Sequence, residues 1–377
     1  MIYLDHAATT PLHPQVMEAM KPFLTHRFGN PSSLHAWGRE ARAGVERARE
    51  QVASSLHVKP EEVLFTSGGT ESDNLAIKGI ALARQEKGRH IITSSIEHHA
   101  VLHACEALER WGYEVTYLPV DERGRVSPED LLRAIRKDTI LVSIHFGNNE
   151  VGTIQRVESF GAICRERGIP FHTDAVQVLD HAPIDLTRLP IDLASFSAHK
   201  INGPKGVGAL YVAHGISLFP LLHGGVQESK MRAGTENVPG IVGFGEAISI
   251  STAETLQRRE RNLLYRRKLL TALRESGVSY IVNGDEENFL SHILNLSFPG
   301  VNRDSLLIQL DLNGIAASAG SACTAGSLEP SHVLNAMGVG EERLNSAIRF
   351  SFGWGLRPEE VEEAGLKIGE IVKRLQR

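Results

Sequence analysis

Asp174 and Lys200 are the two residues whose chemistry is most specific, and each closes a short apolar run. Residues 171–173 lead to the carboxylate, and residues 193–196 lead into Ser197-Ala198-His199-Lys200. Three other apolar runs end in the same way. Val63–Thr66 runs into Ser67-Gly68-Gly69-Thr70-Glu71-Ser72, residues 91–94 into Glu97-His98-His99, and residues 140–144 into Asn148-Asn149-Glu150. Gln177 follows Asp174 by three positions, and the glycine-rich Gly203-Pro204-Lys205-Gly206-Val207-Gly208 follows Lys200. Open α/β sheets bind ligands just beyond the carboxyl ends of their strands. Five such ends carrying polar, titratable or small residues are hard to explain as packing.

Small residues opening a helix leave backbone N–H groups and a helix dipole free for a phosphate. Taken alone, the Ser67–Ser72 motif reads equally well as an ordinary capped helix start. Pyridoxal phosphate needs a lysine for its Schiff base and a carboxylate facing its pyridine nitrogen. An Asp and a Lys at neighbouring strand ends can straddle such a flat ring. His98 can stack on it, while Thr70, Ser197 and His199 can hold its phosphate. Lys200 alone would pass for a surface lysine; beside Asp174, Ser197 and His199 it does not.

Cys323 lies in Ser318-Ala319-Gly320-Ser321-Ala322-Cys323-Thr324-Ala325-Gly326-Ser327. The stretch lacks apolar bulk, so a mobile loop is expected and a buried structural thiol is not. Such a loop suits a nucleophile that visits a substrate and hands on its cargo, although thiolate content depends on surroundings the sequence does not show.

The elements that must position these groups follow from periodicity. Seven apolar runs (63–66, 91–94, 115–118, 140–144, 171–174, 193–197 and 209–212) alternate with helical stretches such as 131–137 and 157–168. The pattern predicts an α/β fold with a mostly parallel seven-stranded sheet covered by helices. After about residue 255 the texture changes. A charged helical stretch, 253–274, precedes apolar segments at 279–282, 290–298 and 306–310 and a closing helix from Pro358. A large unit of residues 15–255 is expected, with a smaller α+β unit of 1–14 and 256–377 that carries the Cys323 segment. Arg258, Arg259, Arg261, Arg266, Arg267 and Lys268 are expected on the solvated face of the charged helix.

The 377 residues carry a formal charge of −5, which gives no electrostatic reason to expect nucleic acid or an anionic membrane as partner. Three cysteines are too few for a disulfide framework, and Cys105 and Cys164 read as core residues. No apolar run approaches the roughly 20 residues of a membrane span. With charge already at Asp5 and no Arg-rich leader, a cytoplasmic location is expected.

Together these motifs resemble the cysteine desulfurases of the NifS/IscS type, within the class V aminotransferases of fold-type I pyridoxal-phosphate enzymes. The likeness runs from Tyr3-Leu4-Asp5-His6-Ala7-Ala8-Thr9-Thr10 to Ser346-Ala347-Ile348-Arg349-Phe350-Ser351. It includes Arg232-Ala233-Gly234-Thr235-Glu236-Asn237 and Gly320-Ser321-Ala322-Cys323-Thr324. The resemblance implies that Lys200 forms the Schiff base, Asp174 pairs with the pyridine nitrogen and Gln177 bonds the phenolic oxygen. It implies that His98 stacks on the ring and carries protons. Gly69, Thr70, Ser197 and His199 would hold the phosphate, joined by Thr235 from the partner subunit of a homodimer. Asn149, at the edge of the cofactor site, and Arg349 would hold the carboxylate of L-cysteine. Cys323 would be the nucleophile that becomes a persulfide, would deliver sulfur to an iron–sulfur scaffold or a tRNA-thiolation enzyme, and could ligate an iron–sulfur cluster transiently.

Two departures bear on the acceptor. The sequence stops at Arg377, without the longer tail some members use to dock a scaffold, and Phe352-Gly353-Trp354-Gly355-Leu356 differs from the IscS form. Two rival readings stay open: amino-group transfer or selenocysteine cleavage with the same cofactor, and metal binding by His98, His99, His103 and Cys105. No resident metal is expected.

Overall fold

The computed structural model describes residues 1–320 and 330–376. Strands are numbered along the chain, β1 being the two-residue Ile2–Tyr3. The central sheet comprises β2 (Val63–Thr66), β3 (His90–Ser94), β4 (Glu114–Leu118), β5 (Thr139–Ser143), β6 (Phe171–Asp174), β7 (Leu193–Ser197) and β8 (Gly208–Val212). Their spatial order is β2-β8-β7-β6-β5-β3-β4, and β8 alone runs against its neighbours. The expected α/β fold with a mostly parallel seven-stranded sheet is therefore present.

Alternation along each strand explains the unbroken apolar runs. Leu64, Ile91, Leu141, Leu193 and Leu210 face one core with the helices Gly69–Ala83 and His99–Glu109. Their neighbours Phe65, Ile92, Val142, Ala194 and Ala209 face a second core with the helix Ala36–Leu56. A strand buried on both sides has no polar face to show.

The charged helix is longer than periodicity suggests. It spans Val238–Glu275, 38 residues, capped by Asn237, whose side chain accepts from the Gly240 N–H. Ile241, Phe244 and Ile248 pack into the core beneath the large sheet, whereas Tyr265, Leu269 and Leu273 belong to a separate core. That core is completed by the antiparallel sheet β12-β10-β9, made of β9 (Ile281–Asn283), β10 (Ile293–Ser297) and β12 (Ala347–Ser351), and by the closing helix Pro358–Leu375. The short β11 (Ile315–Ala316) pairs in parallel with β1, which ties the N-terminus to this region.

The expected solvated arginine face is only partly so. Arg258 is 2% exposed and donates to Asp180 Oδ1 at 2.8 Å and to Asn202 Oδ1 at 3.1 Å. Arg266 is also buried, donating to the Ile293 carbonyl at 2.8 Å with its guanidinium over the Phe289 ring. Both charges are drawn inward because acceptors from other elements meet them, which helical periodicity cannot reveal. Cys105 and Cys164 are buried as expected, and burial pushes both thiols up, Cys164 to about 12. No described helix is long and apolar enough to cross a membrane.

Candidate active site

Because β2, β3, β5, β6 and β7 point the same way, their carboxyl ends share one edge of the sheet. A cavity opens there, with about 790 Å³ of unfilled space including its mouth. It is lined by Gly69, Thr70, His98, Asn149, Asp174, Gln177, Ser197, His199, Lys200 and Arg349. All of these were expected at a site. Thr235 does not line the cavity and is solvent-exposed, in a segment after the last strand of the large sheet. Cys323 lies outside the described residues.

The phosphate-friendly end is built by close approach. Gly208 sits so near Gly68 that a Cβ on it would lie 2.7 Å from the Gly68 Cα, and a Cβ on Gly69 would lie 2.8 Å from Val176 Cγ2. Only glycine fits such spacing. The helix Gly69–Ala83 starts here, its first-turn N–H groups not used within the helix. His199, whose Nδ1 lies 3.2 Å from Thr9 Oγ1, is kept neutral by burial and by Lys200, down to about 4.

His98 caps the helix His99–Glu109, its Nδ1 accepting from the Ala100 N–H at 3.1 Å. Burial, then the charge of Lys200, pushes the imidazole down to about 4. The ring is therefore neutral, with its proton on Nε2. Lys200 donates through Nζ to the carbonyls of Ala7 at 2.7 Å and Ala8 at 2.8 Å. The N-terminal segment thus forms one wall of the site.

Asp174 accepts from the Val176 N–H at 3.0 Å, and burial pushes its carboxyl up to about 6. Beside it lies Asp73, one residue past the motif read from the sequence. Asp73 is buried, burial and Asp174 raise its proton affinity, and its Oδ1 has no hydrogen-bond partner among the described residues. Two adjacent carboxyls facing one cavity call for a proton donor between them. His145 is a second lining residue that periodicity missed. Its ring pairs with the fully buried Glu97 at 3.4 Å, and the Glu97 carboxylate also accepts from Ser94 Oγ at 2.6 Å. Burial disfavours both charges, but the mutual attraction outweighs it, holding Glu97 below and His145 above their usual ranges. Burial of this kind leaves no mark in a sequence.

Arg349, on β12, is 1% exposed. It donates to the Asn149 carbonyl at 2.8 Å and to Asp5 Oδ1 at 2.9 Å, which aims its guanidinium at the cavity wall. Asn148, by contrast, is a turn residue, accepting from the N–H groups of Glu150 and Val151.

These residues fit pyridoxal phosphate: a cradle that a side chain would fill, two adjacent carboxyls, and a lysine amine lining the same cavity. The rival metal grouping is not assembled. Among the described residues the one set of converging metal-type donors is Asp73, His98 and Asp174, inside this same cavity.

Comparison with known proteins agrees with the geometry. The family model "Aminotransferase class-V" matches residues 2–363. Cysteine desulfurase IscS of Methanosarcina thermophila is 51% identical, over 100% of this chain and 93% of its own. Cysteine desulfurase IscS of Dictyoglomus turgidum is 49% identical, over 100% and 95%. A solved NifS-like protein superposes with a TM-score of 0.93 at 41% identity, covering 99% of this chain and 100% of that one. SspA solved in complex with cysteine gives a TM-score of 0.83 at 40% identity, covering 94% and 99%. The chain belongs to the class V aminotransferase family, among its NifS/IscS-type members.

Proposed function

We propose that this enzyme is a pyridoxal-phosphate-dependent cysteine desulfurase, which takes sulfur from L-cysteine, releases L-alanine and keeps the sulfur as a persulfide on Cys323. The observation that carries this reading is the meeting of Lys200, Asp174 and His98 on one cavity, in a chain about half identical to cysteine desulfurases.

When bound, the cofactor supplies an electron sink that stabilises negative charge on the substrate's carbon skeleton. Lys200 would hold its aldehyde carbon, Asp174 its pyridine nitrogen and Gln177 its phenolic oxygen, with His98 against the ring. Gly69, Thr70, Ser197 and His199 would hold its phosphate, and Thr235 would reach it from the partner of a homodimer. Arg349 and Asn149 would hold the carboxylate of cysteine. The planar guanidinium suits that task because it can meet both oxygens at once.

Within that frame the chain's own groups do the proton work. Lys200 Nζ takes the proton from the substrate's Cα. His98, with its proton on Nε2, gives and takes protons through that atom. The Cys323 thiolate attacks the substrate's sulfur: an S–S bond forms, the C–S bond breaks, and its electron pair stays with the substrate carbon. That carbon takes up a proton, Lys200 returns one to Cα, and the product leaves as alanine.

Residues 15–255 would form the cofactor-binding unit, and residues 1–14 with 256–377 the smaller one. The cytoplasm, and an iron–sulfur scaffold or tRNA-thiolation enzyme as acceptor, complete the proposal. Product analysis after adding L-cysteine to the cofactor-loaded protein tests it. Alanine supports desulfuration, whereas 3-mercaptopyruvate with an aminated cofactor would mark transamination.

A further inference from the structure

We propose that His292 is a positioning residue that locks the side-chain amide of Gln177, leaving one N–H for the cofactor cavity and making that wall a hydrogen-bond donor. The inference rests on the cofactor reading above and deepens it.

Gln177 follows β6, is almost fully buried and lines the cavity. Its Nε2 donates to the Ala7 carbonyl at 2.9 Å. A carbonyl can only accept, so the amide nitrogen must lie on that side and Oε1 on the other. Oε1 faces His292 Nε2 at 3.2 Å. An amide oxygen cannot donate, so the imidazole carries its hydrogen on Nε2. Gln177 then has both ends committed, and its second N–H is the donor left to offer the cavity.

The imidazole has little freedom to do otherwise. His292 is 5% exposed. Burial pushes it down to about 3; of the groups facing it from other elements, His181 and His6 are themselves held neutral by burial, and the charges of Arg349 and Lys200 act in the same direction. It stays neutral, with a single proton, and its Nδ1 has no partner among the described residues. Its backbone is pinned as well. The His292 carbonyl accepts from the Phe352 N–H at 2.9 Å, and the preceding Ser291 N–H donates to His181 Nδ1 at 3.1 Å. His292 stands directly before β10, so the antiparallel sheet, which also places Arg349 at the cavity from β12, reaches Gln177 through this side chain.

The consequence is electrostatic. An N–H aimed at an ionising ring oxygen stabilises its negative form and lowers the pH at which the bound cofactor gives up its proton. Without His292 only the Ala7 carbonyl holds the amide, which can give up that one bond to present its oxygen instead, and the pH must rise to remove the same proton.

The test is a pH titration of the visible absorbance of the cofactor-loaded enzyme, with no substrate present. His292→Leu should raise the midpoint by about one pH unit, the size expected for one hydrogen bond to a charged group. His292→Gln, which can place an N–H near the same point, should leave the midpoint close to wild type. Gln177→Leu should raise it as much as His292→Leu, and the double variant no further. An unchanged midpoint in His292→Leu, together with a raised one in Gln177→Leu, overturns the proposal while the cofactor reading stands, even if thermal stability drops. Failure of the unsubstituted protein to develop a visible band with pyridoxal phosphate overturns the reading itself.

Discussion

The carboxylates of Asp73 and Asp174, from a helix and a strand end 101 positions apart in the chain, lie with oxygen atoms within 4.8 Å of each other. Asp73 is buried and Asp174 half-buried, and they repel one another when both are ionised. The protein alone is thus strained electrostatically at a point that a protonated ring nitrogen would relieve.

Asp174→Asn should therefore separate stability from function. The carboxyl is raised to about 6 in the folded chain, from an ordinary value near 4 when unfolded. A raised folded value favours folding only while the group is protonated, and that advantage is lost as pH climbs through about 6. The cofactor-free variant should melt higher than the parent at pH 8, with the gap closing near pH 4. The same variant loaded with cofactor should lose roughly a hundredfold or more in turnover. Calorimetry of the cofactor-free proteins and steady-state kinetics of the loaded ones check the two halves.

Arg349→Lys should raise KM for L-cysteine by roughly ten- to a hundredfold, the worth of one to two charge-assisted hydrogen bonds. Lysine keeps the charge but not the fork, and it cannot hold both Asp5 and the Asn149 carbonyl while meeting a substrate carboxylate. The visible band of the bound cofactor should be unchanged. Kinetics beside an absorbance spectrum decide this.

Glu228→Gln should destabilise the fold by about 3 kcal/mol, as expected for breaking a buried ion pair from one side. Glu228 is buried, meets Arg49 in a two-pronged pair at 2.6 and 2.9 Å, and accepts from the Phe65 N–H on β2. Glu228, Ser229 and Lys230 all have positive φ, so this pair holds a backbone conformation the residues would not choose themselves. Denaturant unfolding of the variant measures the loss.

Much of this was legible in the residues, for stated reasons. Val63–Thr66, Phe171–Asp174 and Leu193–Ser197 are strands at their read bounds because each is a short run, buried on both faces, that ends at a polar residue. The strand-end motifs converge because parallel strands must. The helix start at Val238 was missed because residues 240–250 are glycine-rich and largely apolar, without the polar face that marks a surface helix. Gly243 and Gly245 are needed there: a Cβ on either would press against Met20 or Ala48. Asp73, His145 and His292 were invisible for a different reason. Their importance comes from partners 24 to 115 positions away or more, and a titratable residue reads as a surface one until its burial is known.

The most direct test follows the sulfur. Cofactor-loaded protein is given L-cysteine with labelled sulfur, trapped by alkylation and digested, and the peptide containing Cys323 is weighed. The account predicts one added labelled sulfur on that peptide, alanine as the co-product, and neither in Cys323→Ser or Lys200→Ala. Alanine and free sulfide released at the full rate by Cys323→Ser would contradict it.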